Sequence, residues 1–260
     1  MNRGNFDGHW LTPSGPLPQY TKFSHRPVGE VAGMRDSAKS SLSQAIVDHH
    51  LHRQLVADRL RDLGYPQAAA VIADELPKSD RTRKGNFGEV IASEHLVQRY
   101  GFLMPVFKLR FRDHPNLPMR GEDVIAFIRD GQGAITKVCV GEAKVIVAFA
   151  HQTVEKAHER LAYTYHPHPE TLHLIVSILH ERGDHAFARD VDRLRDRLSS
   201  GAVAQENWIF IITDDAPPDP FVRLESMPQV VPLLNCVNLR LPDLTTLVTE
   251  LFTNPAIEVL

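Results

Sequence analysis

A chain of 260 residues with 43% hydrophobic and 23% charged content can bury one substantial core, with room for a smaller appended unit, which excludes a disordered or fibrous chain. The longest apolar run, residues 138–150, is broken by Glu142 and Lys144 and falls short of the ~20 residues that span a bilayer. Residues 1–21 are polar and rich in Gly and Pro rather than secretory in pattern, so a cytoplasmic location is the expectation. A net charge of −3 argues against a surface that is basic throughout, and two cysteines, Cys139 and Cys236, both in apolar runs, read as buried hydrophobes rather than a disulfide or zinc framework.

Residues 1–35, with Pro13, Pro16, Pro18 and Pro27 and little periodicity, are expected to form an irregular N-terminal arm. A helix is expected over 40–63, where Ile46, Leu51, Leu55, Val56 and Leu60 recur at helical spacing, with Gly64-Tyr65-Pro66 as its stop. A second helix over 67–76 completes a helical hairpin within residues 36–80, and residues 81–260 form the remaining domain. Residues 86–100 carry Phe87, Val90, Ile91, Leu96 and Val97 at a helical recurrence, and Gly101 is a plausible C-terminal stop. Lys78, Arg81, Arg83 and Lys84 precede that helix. Lys108, Arg110 and Arg112 alternate, which as a strand puts three cations on one face, and Arg120 follows. These cations read either as a track for a phosphate backbone or as a charged edge strand that resists aggregation.

Residues 122–128 read as a strand, Asp130-Gly131-Gln132-Gly133 supplies turn chemistry, and 137–144 is the partner strand of a hairpin-like connection. A helix follows, then a helix over 171–181, a charged surface helix over 184–198, strands at 208–213 and 235–239, and a closing helix over 243–252. The fourteen histidines show no zinc spacing, and His49, His50, His52, His166, His168 and His173 read as solvated.

Four residues carry the chemistry: Glu89, Asp123, Glu142 and Lys144. Side chains two apart on a strand share a face, so Glu142 and Lys144 point the same way. The hairpin lets Asp123 lie beside Glu142. Two carboxylates, helped by the Ala143 carbonyl, suit Mg²⁺ or Mn²⁺, and Lys144 then faces the metal-bound water and a scissile phosphate. An exposed Glu-x-Lys is ordinarily a solvated ion pair, but here apolar residues flank it on both sides, where two charges are costly unless paired or metal-bound. Glu122 competes with Asp123 for the metal; strand alternation sends the two to opposite faces, and Asp123 has the Gly-x-Asp spacing. Glu89, in the first turn of its helix, either joins the site or favours the helix dipole.

This order, a helix-borne Glu, a Gly-x-Asp opening a strand and a Glu-x-Lys ending the next, resembles the PD-(D/E)XK nuclease superfamily. More narrowly, Gly85-Asn86-Phe87-Gly88-Glu89, Arg120-Gly121-Glu122-Asp123-Val124-Ile125-Ala126-Phe127 and Gly141-Glu142-Ala143-Lys144 resemble the HamA family, nuclease subunits of Hachiman anti-phage systems, over about residues 84–165. The resemblance implies an α/β restriction-endonuclease-like core, a mixed central sheet flanked by helices, with a helical N-terminal region. It implies a divalent-metal-dependent DNase in which Asp123 and Glu142 hold the metal, Lys144 acts on the water and Glu89 is an accessory ligand or orienter. It also implies a HamB-like helicase as partner. The superfamily often places a Gln four residues before an aromatic or basic residue on the next helix; Gln152 and Lys156 take those places as a DNA-facing pair, without the commoner tyrosine. A slightly acidic chain is expected to bind DNA weakly alone and to receive it from the partner. The same site chemistry would serve a repair, recombination or restriction nuclease, and a scaffold with internally paired charges is the non-catalytic alternative.

Overall fold

The computed structural model describes residues 6–15, 19–117, 121–163, 166–217, 219–253 and 255. Their centre is a six-stranded mixed sheet built from β1 (Leu11–Pro13), β2 (Ser24–Glu30), β3 (Val124–Arg129), β4 (Ile135–Ile146), β5 (Ala204–Thr213) and β6 (Leu234–Arg240), in the order β1-β2-β6-β5-β4-β3. The four inner strands β2, β6, β5 and β4 are parallel, and β1 and β3 close the two edges antiparallel. Parallel strands are covered on both faces and therefore read as unbroken apolar runs; Ile209, Phe210, Ile211 and Ile212 of β5 are all buried.

One face packs against α5 (Asp80–Tyr100) and α11 (Leu244–Thr253): Phe87, Val90, Ile91, Leu244 and Leu247 meet Phe210, Ile212, Val237 and Leu239. The opposite face is covered by α6 (His151–Tyr163), whose Val154, Ala157 and Leu161 meet Val140, Ile209, Ile211 and Cys236. Beside it, α7 (Pro169–Glu181) and α8 (His185–Asp192) bury Leu172, Ile175, Phe187 and Val191 against Ile125, Phe127 and Val138 of the β3–β4 hairpin. Each such fully buried aliphatic or aromatic side chain contributes about 1.5–3 kcal/mol by removal from water. The expected mixed α/β sheet flanked by helices is borne out.

The first 35 residues depart from the expected arm. α1 (Asp7–Trp10), β1 and β2 belong to the core: Trp10 and Leu11 are 1% exposed, and β2 pairs with β6 across more than 200 residues of sequence. The helix expected over 40–63 is two helices, α2 (Arg35–His50) and α3 (Arg53–Leu63), because Leu51 and His52 adopt extended backbone between them. α4 (Tyr65–Glu75) then packs Ile72 against Val47 and Val56. His49 and His50 are buried rather than solvated: His49 pairs with Glu94 at 2.8 Å and stacks on Phe107, and His50 hydrogen-bonds the Ile46 carbonyl.

Helix α5 begins earlier than its apolar recurrence suggests, because the Ser79 hydroxyl accepts from the Thr82 N–H and caps it; Gly101 ends it with φ 71°. Lys108–Phe111 form a 3-10 turn, with Arg112 extended after it, and not the alternating strand expected. The cause is tertiary: the Lys108 ammonium is drawn in to the Glu122 carbonyl and Arg110 Nε to the Asp48 carbonyl at 2.6 Å. The charged segment 184–198 is α8 followed by α9 (Leu194–Ser199), and α10 (Val222–Ser226) is a short helix between β5 and β6.

Candidate active site

The β3–β4 hairpin positions the acidic residues. Its turn closes as the Asp130-Gly131-Gln132-Gly133 chemistry requires: the Asp130 carboxylate accepts from the Gln132 and Ala134 N–H groups at 2.9 Å, and Gly133 has φ 87°. The register then pairs Val124 with Gly141, which brings Asp123 beside Glu142. Asp123 Oδ2 accepts from the Ala143 N–H at 2.9 Å, fixing the carboxylate at the end of the ladder. Two glycines make this possible. A Cβ on Gly141 would lie 3.1 Å from Val124 Cβ, and Gly121, at φ 88°, leaves the place a Cβ would take to the Thr171 hydroxyl.

Glu142 is 1% exposed, and Lys144 on the same strand face donates to its Oε1. Arg160 Nε lies 3.1 Å from the other oxygen, and Arg160 Nη2 donates to the Gly121 carbonyl at 3.0 Å. Glu89 joins them from α5. Its carboxyl is pushed up to about 8, first by burial and then by the Asp123 carboxylate. Glu142 is raised to about 7 by the same two causes in the same order, against the pull of Lys144 and Arg160. Three carboxyl groups, the Lys144 ammonium and the Arg160 guanidinium therefore share one electrostatic site.

The donor chemistry fits a hard divalent cation. Carboxyl groups crowded out of water resist ionising together, and one divalent ion would offset the charge of their ionised forms directly. Among the described residues, no three Asp, Glu, His or Cys side chains already enclose one point as a finished cage. Both oxygens of Glu142 are engaged, one by Lys144 and the other by Arg160, so to hold a metal it would release at least one of them.

Comparison with known proteins decides the family. The HamA family model matches residues 6–222, from α1 through β5 to the start of α10. The chain belongs to the HamA family. A relative from Bacillus cereus, Hachiman protein HamA, is 29% identical over 194 residues, which is 73% of this chain and 69% of that protein. The HamA match takes in β1 and β2 as well as the carboxylate cluster, while β6, which joins β2 to β5 in the sheet, and the helix α11 lie beyond it.

The cations proposed to meet DNA are scattered over this HamA fold. Arg81, Arg83 and Lys84 lie in the first turns of α5, Arg81 exposed and Arg83 donating to the Pro77 carbonyl at 2.9 Å. Lys108 is buried, and Arg112 donates to the Leu109 and Pro115 carbonyls at 3.1 and 2.9 Å, so with Arg110 these three brace backbone instead of sharing a strand face. Arg120 lies outside the described residues. Gln152 and Lys156 are both exposed on α6. Glu122 is buried and accepts from the His168 N–H ahead of α7, so it diverges from Asp123 as alternation requires.

Arg160 escaped the reading of the sequence, although its signal is present: Gln152, Lys156 and Arg160 recur every four residues, one exposed stripe of α6 whose last member reaches Glu142.

Proposed function

We propose that this HamA-family protein is a divalent-metal-dependent DNase, acting in anti-phage defence alongside a HamB-like helicase. The observation that carries the reading is the placing of Asp123 beside Glu142, with Lys144 on Glu142, at the open end of the β3–β4 ladder, where the charge of both carboxylates reaches Glu89. Asp123 and Glu142, with the Ala143 carbonyl, are the candidates to hold Mg²⁺ or Mn²⁺, and Glu89 orients the set. When bound, such an ion supplies a water of lowered pKa and neutralises charge on the phosphate. Lys144, once released from Glu142, aligns the attacking water or stabilises the charge that builds on the phosphorus-bound oxygens. Membership in the family of Hachiman protein HamA supports the defence role, and the slightly acidic whole supports delivery of DNA by a partner.

The test is cleavage of plasmid DNA with Mg²⁺ or Mn²⁺, with and without the helicase. Asp123→Asn and Lys144→Ala should each remove cleavage by at least about 100-fold while leaving the melting temperature within a few degrees. Undiminished metal-dependent cleavage by both variants would refute the assignment.

A further inference from the structure

The chain leaves β5 and β6 toward opposite faces of the sheet. After β5 it runs to α10, whose Leu224 clusters with α6 on Ile209 and Ile211; after β6 it runs to α11, whose Leu244 and Leu247 pack on the other face. Neighbouring parallel strands that part in this way open a crevice at their carboxyl ends, the place where open α/β sheets bind ligands. Here the crevice is a cavity of about 800 Å³, with Ala216 and Pro217 after β5, Asn238 and Arg240 at the end of β6, and His25 and Pro27 of β2 among its walls. No member of the carboxylate cluster is among its described lining residues.

Two of these walls carry polar atoms that the protein leaves unused. Asn238 is 8% exposed and its Oδ1 has no hydrogen-bond partner among the described residues; neither has Nδ1 or Nε2 of His25. Asn238 is in register with Pro27, and His25 stands two residues before Pro27, so all three share a sheet face. Tyr20 and Phe221 meet the His25 ring edge-on, with centroids 5.4 and 5.0 Å away. Burial lowers the His25 pKa to about 4 against the pull of Asp219, so at neutral pH the imidazole offers one donor and one acceptor. Buried polar groups are nearly always bonded, and several left open along one cavity mark where a ligand supplies the missing partners.

The charges at the mouth narrow the ligand. Glu30 and Arg35 answer each other, Nε to Oε1 at 2.7 Å, which leaves Arg240 and Asp243, both exposed and neither within ion-pair distance of a partner among the described residues. A free guanidinium suits a phosphate and a free carboxylate accepts from a sugar hydroxyl, while Asn238 and His25 match the donor and acceptor edge of a base.

We propose that this crevice binds a nucleoside monophosphate, with the base against Asn238 and His25 and the phosphate at Arg240, a unit shared by a free nucleotide and by the 3′-terminal nucleotide of a DNA strand. The site does not depend on the cleavage chemistry; only its use by a strand rests on DNA as substrate. Register supports that use. Lys144 pairs with Ile211 and Ile211 with Asn238, so Lys144 and Asn238 share a sheet face two strands apart, about 10 Å at the ordinary strand spacing. A strand end seated in the crevice lies within a few nucleotides of Glu142 and Lys144.

The experiment titrates the whole chain in EDTA, where no metal-dependent cleavage occurs, with dAMP by calorimetry and with a 5′-labelled oligodeoxyadenylate by fluorescence anisotropy. Asn238→Leu removes the amide at nearly constant volume and Arg240→Glu reverses an exposed charge; each should weaken binding by at least about 10-fold. Because Oδ1 has no partner in the free protein, Asn238→Leu should hold or raise the melting temperature while binding is lost, a combination that a purely structural role would not give. Where dAMP binding alone falls in both variants the ligand is a free nucleotide, and where the oligonucleotide's falls it is a strand end. A wild type that binds dAMP through these residues yet cleaves no DNA would refute the DNase reading and leave this one standing. If binding of neither probe falls in both variants, the proposal is overturned. A melting temperature lowered by several degrees in Asn238→Leu would overturn it too, since the amide would then already be bonded within the protein.

Discussion

Gly121→Ala should damage both folding and cleavage, and its cost divides into two separable parts. Gly121 has φ 88°, a region an L-residue enters at about 1–2 kcal/mol. A Cβ there would also overlap the Thr171 hydroxyl, and α7 cannot simply retreat, because Leu172 and Ile175 are packed against Ile125 and Phe127. Overpacking of this kind costs about 1–3 kcal/mol, so the expected destabilisation is about 2–5 kcal/mol. Thr171→Ala removes the hydroxyl and the overlap while leaving the backbone penalty. In urea unfolding, the double variant Gly121→Ala/Thr171→Ala should therefore recover at least about 1 kcal/mol relative to the sum of the single changes. Cleavage should follow the same pattern, because the Gly121 carbonyl holds Arg160 and its loop leads into Asp123. A Gly121→Ala protein within about 0.5 kcal/mol of wild type, the range of an ordinary surface change, or strict additivity in the cycle would refute the packing argument.

Two further outcomes are expected. At a Mn²⁺ concentration about a hundredfold above its Kd, binding to the native state alone adds about 2.7 kcal/mol, so the wild-type Tm should rise by several degrees and fall back with EDTA, with no rise in Asp123→Asn; an equal rise in both proteins would place the ion elsewhere. His50 is buried and its pKa is lowered to about 3, chiefly by burial and then by Arg112, against about 6.5 in the unfolded chain. The unfolded state therefore binds the extra proton: stability from His50 is complete above pH 6.5 and is lost toward pH 3, at up to about 1.4 kcal/mol per pH unit. Glu89 and Glu142, whose pKa values are raised, act in the opposite sense below pH 8, so the measurement is the difference in urea stability between wild type and His50→Gln across pH 4–7. A difference that does not change with pH would show that His50 is not held neutral.

What was legible in the sequence was local. The β4 run through Val138-Cys139-Val140, the Asp130–Gly133 turn and the Gly101 stop each declare themselves within a few residues, since turn chemistry and burial act on the segment that carries them. What was illegible depended on distant partners. β2 contains Pro27 and Gly29 and looks like an arm until β6 is available to pair with it. His49 looks solvated until Glu94 and Phe107 meet it, and the alternation of Lys108, Arg110 and Arg112 is a coincidence of spacing once each cation reaches its own carbonyl. Tertiary partners override local pattern in all three cases.

The carboxylate cluster stands between these extremes, and register explains why. Glu142 and Lys144 share a face by strand geometry alone, but the placing of Asp123 beside Glu142 depends on Val124 pairing with Gly141. A slip of one residue would set Val124 against Glu142, turn Ile125 and Phe127 from the α7 face toward the α5 face, and separate the two carboxylates. Burial of Ile125 and Phe127 against α7 therefore does more than fill a core: it selects the register that assembles the acidic site. Thr171 adds to the same selection, since its hydroxyl fills the notch at Gly121 and fixes where the chain enters β3. The hydrophobic pattern of the hairpin and the chemistry of the site are thus one constraint, and a substitution that loosens α7 should reach Asp123 without touching it.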